Sequence, residues 1–279
     1  MEHNYSTPLV VKYGGSVADV IPTVTPSVGA QPRSRGTDEL LASAVALQRG
    51  GSPVVLVHGG GPEIDRWLAQ RDVVTRRVDG LRVTDDTTLE VTEAVLCATI
   101  NKRLVRACAA LGAKAVGVSG EDAGTLVATR ARGSHGEDLG YVGDVTASDP
   151  ALLELLLGAG YLPVVAPLAI ADDASHAFNV NADLAAAAIA GALHARAFIM
   201  VTNVERVRRD PKDPGSAIDR MTLDEAKAFA LSPSCEGGMK PKMQAAISAV
   251  QSGAAASYIC APQPLDDILK GNATIVSLV

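Results

Sequence analysis

Short apolar segments that end in glycine-rich turns recur along this sequence. One segment, Leu9–Val11, leads into Lys12 and Gly14-Gly15, and another, Pro53–Val57, leads into Gly59-Gly60-Gly61. Uninterrupted apolar strands that alternate with helices are typical of a parallel sheet with helices on both faces. The pattern therefore predicts an α/β protein, a three-layer α/β/α sandwich around a mainly parallel central sheet.

Composition and charge exclude several classes of protein. The chain has 279 residues, of which 47% are hydrophobic and 20% are charged, and its formal net charge is −6. The negative charge argues against a general nucleic-acid binder. The N-terminus has no signal-peptide core, and no apolar run is long and uncharged enough to span a bilayer. We therefore expect a cytoplasmic protein with neither nucleic-acid nor membrane partners.

The cysteines are scattered and show no spacing that is typical of a metal site. In a chain of this composition they are typical of reduced, mostly buried thiols. We predict no metal that is held by protein side chains. The residues concerned are Cys97, Cys108, Cys235 and Cys260.

A polar patch at 178–183 precedes an apolar run from Leu184 to Leu193. The small residues of that run predict a helix packed closely on the sheet. The patch then lies at the helix N-terminus, where unpaired N–H groups and the helix dipole favour anions. Taken alone, Asp183 also fits a first-turn carboxylate or an Asx turn. With the glycine turns, however, it predicts an anion site that Asp183 shares with Lys12 and Lys242.

Other segments predict local structure around this site. Asp79-Gly80 favours a type I′ hairpin turn, and Arg82 follows between apolar neighbours, which suggests a guanidinium held to grip a carboxylate. A long helix is predicted from about Asp86 to Leu111. Segments 125–130 and 141–146 predict an antiparallel pair. Residues 21–36 are predicted to form an irregular loop, and residues 169–177 a polar turn. A further loop is predicted at 232–243, followed by a helix at 243–253.

Two lysines organised by one carboxylate suit phosphoryl transfer. That reaction needs little covalent help from the protein. It requires cations on the transferring oxygens, backbone N–H donors, and Mg²⁺ on the nucleotide. The predicted catalytic residues are therefore Lys12, Asp183 and Lys242.

Several short segments together resemble the amino acid kinase family, and they follow the family's order along nearly the whole chain. The resemblance implies the amino acid kinase fold, with ATP and Mg²⁺ as cofactors. The implied reaction is phosphorylation of the γ-carboxylate of N-acetyl-L-glutamate, which needs no general base because that carboxylate is ionised at pH 7. The main matching segments are 12–16, 57–65, 79–85, 117–124, 178–183 and 237–242.

The resemblance also implies a role for each matching residue. Lys12 and Lys242 stabilise charge on the transferred phosphoryl group, and Asp183 holds both lysines. The substrate side is formed by Gly59, Gly60, Arg82 and Asn179, of which the last two bind the α-carboxylate and amide end. The nucleotide side is formed by Gly14, Gly15, Thr202, Asn203, Gly238 and Met239.

The resemblance further implies one domain over residues 1–279 with two lobes. The N-terminal lobe, about 1–170, binds the acyl amino acid, and the C-terminal lobe, about 171–279, binds the nucleotide. The expected partners are these two small molecules and a second copy of the chain in a homodimer. The family usually has Gly at positions 123 and 206 and Asp at 203, whereas this chain has Ala123, Arg206 and Asn203.

Two alternatives stay open. One is a related kinase that acts on a carrier-linked or N-modified glutamate or aminoadipate. The other is an inactive, ligand-sensing homologue. The joint presence of Lys12, Asp183 and Lys242 counts against this alternative, because a binding module has no need of both lysines.

Overall fold

The computed structural model describes residues 6–14 and 35–279. Gly15 and most of the predicted loop 21–36 lie outside the described residues. Among the described residues, eight strands form the central sheet, and each neighbouring pair is parallel except β13 and β14. The strands are β1 (Leu9–Tyr13), β2 (Val54–His58), β5 (Ala115–Ser119), β8 (Leu162–Ala166), β11 (Ala197–Val201), β12 (Arg220–Thr222), β13 (Ala256–Cys260) and β14 (Thr274–Ser277). Their order across the sheet is β12-β14-β13-β11-β1-β2-β8-β5.

Helices cover both faces of this sheet, and alternate strand residues point to each face. Val10 of β1 packs with one helix layer, whereas Leu9 and Val11 pack with the other. The predicted three-layer sandwich is therefore confirmed. The first layer contains α5 (Ala151–Gly158), α6 (Ala182–Ala192), α7 (Leu223–Ala230) and α8 (Met239–Gln251). The second contains α1 (Arg35–Arg49), α2 (Gly61–Ala69), α3 (Asp86–Glu93), a π-helical segment (Ala94–Ile100), α4 (Asn101–Ala110) and α9 (Leu265–Leu269).

Helix α6 packs unusually closely on its neighbours because its buried face consists largely of alanine. Ala185, Ala186 and Ala190 are fully buried. A Cβ on Gly191 would lie 2.4 Å from the Cβ of Ser252, at the end of α8. Small side chains therefore bring α6 and α8 together, and both helices carry residues of the predicted anion site.

A second group of strands is separate from the central sheet. Strands β6 (Val127–Arg132), β7 (Asp138–Ala147), β9 (Leu168–Ala171) and β10 (Ala177–Val180) pair in a closed ring. The predicted antiparallel pair is confirmed as β6 and β7. The prediction of a polar turn at 169–177 is wrong for both ends of that range, because strand β9 occupies its start and strand β10 begins at its last residue. These short strands are stabilised by pairing with distant strands, which their local sequence does not reveal.

The hairpin β3 (Arg77–Val78) and β4 (Leu81–Arg82) packs against this ring. Asp79 has φ 52° and Gly80 has φ 80°. Positive φ at both central residues defines the predicted type I′ turn, which is confirmed.

The loop predicted for 232–243 ends earlier than expected. Helix α8 begins at Met239 rather than Met243, with Gly238 as its N-cap. Pro241 suggested a loop, but the N–H groups of the first turn have no partner within a helix, so proline is tolerated there. Lys242 therefore lies on a helix and not on a loop.

The predicted long helix at 86–111 contains a π-helical segment at Ala94–Ile100. This segment packs against the glycine turn after β2. A Cβ on Gly60 would lie 2.5 Å from Ile100 Cδ1 and 2.7 Å from Leu96 Cδ2. A glycine is therefore required at position 60 for the helix to approach the turn.

Two further findings concern the cysteines and the lengths of the helices. All four cysteines are free, and three of them are buried, as predicted. Within residues 6–14 and 35–279, no helix combines the length and apolar character that crossing a membrane demands.

A buried ion pair joins α2 to α4. Both guanidinium NH groups of Arg103 donate to Glu63, each at 2.9 Å, and Glu63 is 2% exposed. Arg66 also reaches Glu63 at 3.0 Å, but its side chain is largely exposed. The pair fixes α2, and thus the glycine turn, to the long helical segment.

We predict that Arg103→Leu lowers the free energy of unfolding by about 3 kcal/mol, because it leaves the Glu63 carboxylate buried without its main partner. Urea unfolding at neutral pH measures this change. The matched control is the double variant Glu63→Leu/Arg103→Leu, which removes both charges and should lose much less. Equal losses in both proteins would contradict this role of the pair.

Candidate active site

Lys12, Asp183 and Lys242 meet at the carboxyl edge of the central sheet. Lys12 Nζ lies 2.7 Å from Asp183 Oδ1, and Lys242 Nζ lies 3.3 Å from Asp183 Oδ2. The three residues come from β1, the first turn of α6 and the first turn of α8. The structure thus brings together all three residues that the sequence predicted as catalytic.

The N-cap of α6 positions the aspartate. Asn181 Oδ1 accepts hydrogen bonds from the N–H groups of Asp183 at 2.8 Å and of Leu184 at 3.3 Å. Asn side chains favour this position because they satisfy N–H groups that have no partner within the helix. Asp183 is therefore held in the first turn, with its carboxylate turned towards the two lysines.

The charges of this group are coupled. Burial alone would raise the pKa of the Asp183 carboxyl, but Lys12 and Lys242 outweigh it and hold that pKa below its usual range. Asp183 is therefore ionised, and both of its oxygens are engaged by lysines. Two ammonium groups against one carboxylate leave a net positive charge, which suits a phosphate.

A cleft of about 440 Å³ opens beside this group. Lys12 and Asp183 line one part of it, and Arg82 and Asn179 line another. Gly59, Gly60 and Gly61 lie along it at the N-terminus of α2. The predicted substrate-side residues and two of the predicted catalytic residues therefore share one cleft.

The glycine turn is held in place by strand β1 and by His58. Gly59 donates its N–H to Tyr13 O at 3.2 Å. His58 Nδ1 lies 3.1 Å from Gly59 O, and its Nε2 lies 3.4 Å from the Asn101 amide. Burial lowers the pKa of His58 to about 4, so its imidazole is neutral at pH 7. This histidine orients the turn and carries no charge.

Arg82 is buried, and its guanidinium is held on both sides. One NH group donates to the Asp65 carboxylate, and the other donates to Gly61 O at 2.9 Å. Arg77 binds the second Asp65 oxygen at 2.7 Å. Gly61 and Asp65 are one helical turn apart and therefore lie on the same face of α2. Sequence reasoning quoted Asp65 in a matching segment but gave it no role.

Asn179 is held through Thr84. Its Nδ2 donates to Thr84 Oγ1 at 3.2 Å. Thr84 is fully buried and had no predicted role, although it lies in the matching segment 79–85. The signal that could have revealed it is its position two residues after Arg82, on the same side of an extended chain.

Of the predicted nucleotide-side residues, Gly15 lies outside the described part of the chain; the other five lie at the same sheet edge and do not line the 440 Å³ cleft. Gly14 follows β1, and Thr202 follows β11, its parallel neighbour. Thr202 Oγ1 lies 3.2 Å from Asn203 Oδ1. Gly238 and Met239 form the start of α8. These residues flank the lysines on the side of β11 and α8.

Of two departures from the family pattern, Arg206 has a structural explanation and Ala123 has none. Arg206 donates to Asp219 at 2.6 Å and to Gly271 O at 3.2 Å, so its guanidinium ties a loop to the C-terminal part of the sheet. Ala123 has φ 54°, a region that favours glycine, and does not line the cleft. The glycine usual at position 123 thus fits the backbone better than alanine does.

Comparisons with known proteins identify the family to which this fold belongs. The sequence profile of the Amino acid kinase family matches residues 7–261. This chain therefore belongs to the amino acid kinase family.

Comparisons with individual proteins give more specific matches than the family profile. Acetylglutamate kinase of Brevibacillus brevis is 39% identical over 253 residues, which cover 90% of this chain and 88% of that protein. Acetylglutamate kinase of Methanopyrus kandleri is 44% identical over 225 residues, 80% of this chain and 90% of that protein. The structure of N-acetylglutamate synthase from Neisseria gonorrhoeae, complexed with coenzyme A and N-acetyl-glutamate, matches with a TM-score of 0.76 and 22% identity. That match covers 97% of this chain but only 59% of the synthase, and it shows the fold alone.

We predict that Asp183→Asn lowers the free energy of unfolding by about 3 kcal/mol at pH 7, because it leaves two neighbouring ammonium groups without their carboxylate. The folded pKa of Asp183 lies below its ordinary value of 3.8. Its stabilisation is therefore complete above that value and is lost as the pH falls through the lowered folded pKa. The difference between wild type and variant should thus be constant above about pH 5 and shrink below about pH 4.

Chemical unfolding from pH 3 to pH 7 measures this difference. The exposed Asp144 provides the control Asp144→Asn. A difference for Asp183→Asn that does not change with pH would show that the lysines do not depend on this carboxylate.

Proposed function

We propose that this protein catalyses the ATP-dependent phosphorylation of the γ-carboxylate of N-acetyl-L-glutamate to an acyl phosphate. One observation carries the proposal: a single cleft is lined by Lys12 and Asp183 at one part and by the fixed Arg82 at another, and Lys242 pairs with the same Asp183. An acyl amino acid with two carboxylates matches both. Its reacting carboxylate lies towards the lysines, and its α-carboxylate lies against Arg82. The names of the relatives support the same substrate.

The roles of the residues follow from the charges. A γ-carboxylate oxygen attacks the γ-phosphorus of ATP, the bond from phosphorus to the bridging oxygen breaks, and ADP leaves with that electron pair. The attacking group is already an anion, so no proton is removed. Lys12 and Lys242 stabilise the oxygens of the transferred group, and Asp183 keeps the two ammonium groups in place and takes no proton.

ATP and Mg²⁺ are part of this proposal. Gly14, the start of α8 and the two lysines offer backbone N–H groups and cations that fit a triphosphate. Within residues 6–14 and 35–279, no cluster of three or more acidic, histidine or cysteine side chains could hold a metal ion. Both oxygens of Asp183 are paired as well. Mg²⁺ would therefore be held chiefly by the nucleotide phosphates, where it neutralises their charge.

The division into lobes and the oligomeric state are also proposals. We assign acyl amino acid binding to about 1–170 and nucleotide binding to about 171–279, with Asn179 crossing to the substrate. Strand β5 is the last strand of the sheet, and its residues 115–118 are only half-buried. An exposed strand edge favours pairing with another chain, which supports a homodimer. Sedimentation equilibrium would test this assembly by its mass.

We predict ADP release from ATP and Mg²⁺ with N-acetyl-L-glutamate, but not with glutamate, N-acetylaspartate or N-acetyl-α-aminoadipate at comparable rates. A coupled assay measures this panel. Lys242→Ala should lower kcat at least about 100-fold, because the lost charge acts on the transferred group. Lys227→Ala removes a partly exposed lysine on α7 and serves as the matched control. No turnover from folded protein that binds ATP would contradict the proposed substrate and favour a carrier-linked or otherwise modified one.

Arg82→Lys should raise KM for N-acetyl-L-glutamate about 10-fold and leave KM for ATP unchanged, because an ammonium group cannot reproduce a bidentate guanidinium contact. Steady-state kinetics at saturating co-substrate measure both constants. The control is Arg71→Lys, an exposed arginine that contacts Trp67. An unchanged KM for the acyl amino acid would remove Arg82 from the substrate site.

A further inference from the structure

Thr84 is fixed between the hairpin and the strand ring. Its N–H donates to Leu139 O at 2.9 Å, and its carbonyl accepts from Tyr141 N at 2.7 Å. Gly140, between these two partners, has φ 68°, and a Cβ there would lie 2.1 Å from Thr84 O. A glycine is therefore needed opposite Thr84 for this close approach. The backbone of Thr84 is held by strand β7 on both sides, and its side chain is fully buried.

The Thr84 hydroxyl contacts both residues of the proposed α-carboxylate site. Oγ1 donates to Arg82 O at 2.9 Å and accepts from Asn179 Nδ2 at 3.2 Å. Arg82 and Asn179 lie on different strands, β4 and β10, which do not pair with each other. This one hydroxyl therefore links two strands that each carry one substrate-side residue.

Proton counting fixes the orientation of the Asn179 amide. A hydroxyl has one proton, and in Thr84 that proton is donated to Arg82 O. Towards Asn179 the hydroxyl offers only a lone pair, so the NH₂ group of the amide must face Thr84 and the carbonyl oxygen must point elsewhere. Without the hydroxyl, nothing in these contacts would distinguish this orientation from the flipped one.

We propose that Thr84 is a positioning residue for the acyl amino acid, since it sets the direction of the Asn179 amide relative to Arg82. The inference rests on the proposed function and deepens it. Thr84 does not touch the cleft and acts through Asn179. Its loss should weaken substrate binding and leave the phosphoryl-transfer group of Lys12, Asp183 and Lys242 intact.

The test compares Thr84→Val, which keeps the shape and removes the hydroxyl, with Thr84→Ser, which keeps the hydroxyl. In the wild-type assay conditions, Thr84→Val should raise KM for N-acetyl-L-glutamate about 10-fold and keep KM for ATP within about twofold. Thr84→Ser should restore KM to near the wild-type value. Thr92→Val is the matched control, because the buried Thr92 hydroxyl donates only to Thr88 O in its own helix.

A double-mutant cycle separates positioning from a general structural effect. In an Asn179→Ala background the amide is absent, so Thr84→Val should add little further increase in KM. Equal increases in both backgrounds would overturn the proposal. If Thr84→Val does not fold, Thr84→Ala also removes the hydroxyl and leaves more room, and an unchanged KM in that variant would overturn the proposal equally.

The outcomes also separate this inference from the proposed function. Wild-type turnover with an unchanged KM in Thr84→Val would overturn the role of Thr84 and leave the proposed function standing. Absence of wild-type turnover on N-acetyl-L-glutamate would contradict the proposed function, and the role of Thr84 would fall with it.

Discussion

The carboxylate of Asp183 is the point on which the site depends. Two ammonium groups would repel each other at the edge of a sheet, and burial makes that repulsion stronger than in water. One ionised carboxylate between them allows Lys12 and Lys242 to lie side by side. The cost of burying its charge is offset because each of its oxygens has a cation. The group thus combines a net positive charge with fixed geometry before any ligand binds.

The scaffold explains why these three residues can be so close. The carboxyl ends of parallel strands lie at one edge of a sheet, which places Lys12 beside the glycine turn. The alanine-rich face of α6 lets α8 approach, and Asn181 fixes the first turn of α6. Gly60 likewise lets the π-helical segment approach the glycine turn after β2. Small residues therefore determine distances between the charged ones.

Much of this arrangement could be predicted from sequence, since the residues at strand ends and helix starts identify the edge where ligands bind. Lys12 and Asp183 were predicted in this way, whereas Lys242 was predicted on a loop. The start of α8 was missed because Pro241 suggests a loop unless its first-turn position is known. Strands β9 and β10 were missed because their pairing is non-local. Asp65 was missed because side-chain direction, and not sequence spacing, links it to Arg82. Thr84 was missed, although it lies only two residues after Arg82, because its contact with Asn179 joins distant parts of the chain.

The π-helical segment has a consequence for how this chain can vary in length. Asn101 follows it and donates to the carbonyls of Val118 at 3.2 Å and Val164 at 2.8 Å, while Arg103 reaches Glu63. Deletion of one residue from Ala94–Ile100 would rotate everything after it by about 100°. Asn101 and Arg103 would then point away from their hydrogen-bond partners. Side chains in this segment can therefore be exchanged more easily than its length can change. Its number of residues is fixed by the contacts of Asn101 with the sheet and of Arg103 with the helix that follows the glycine turn.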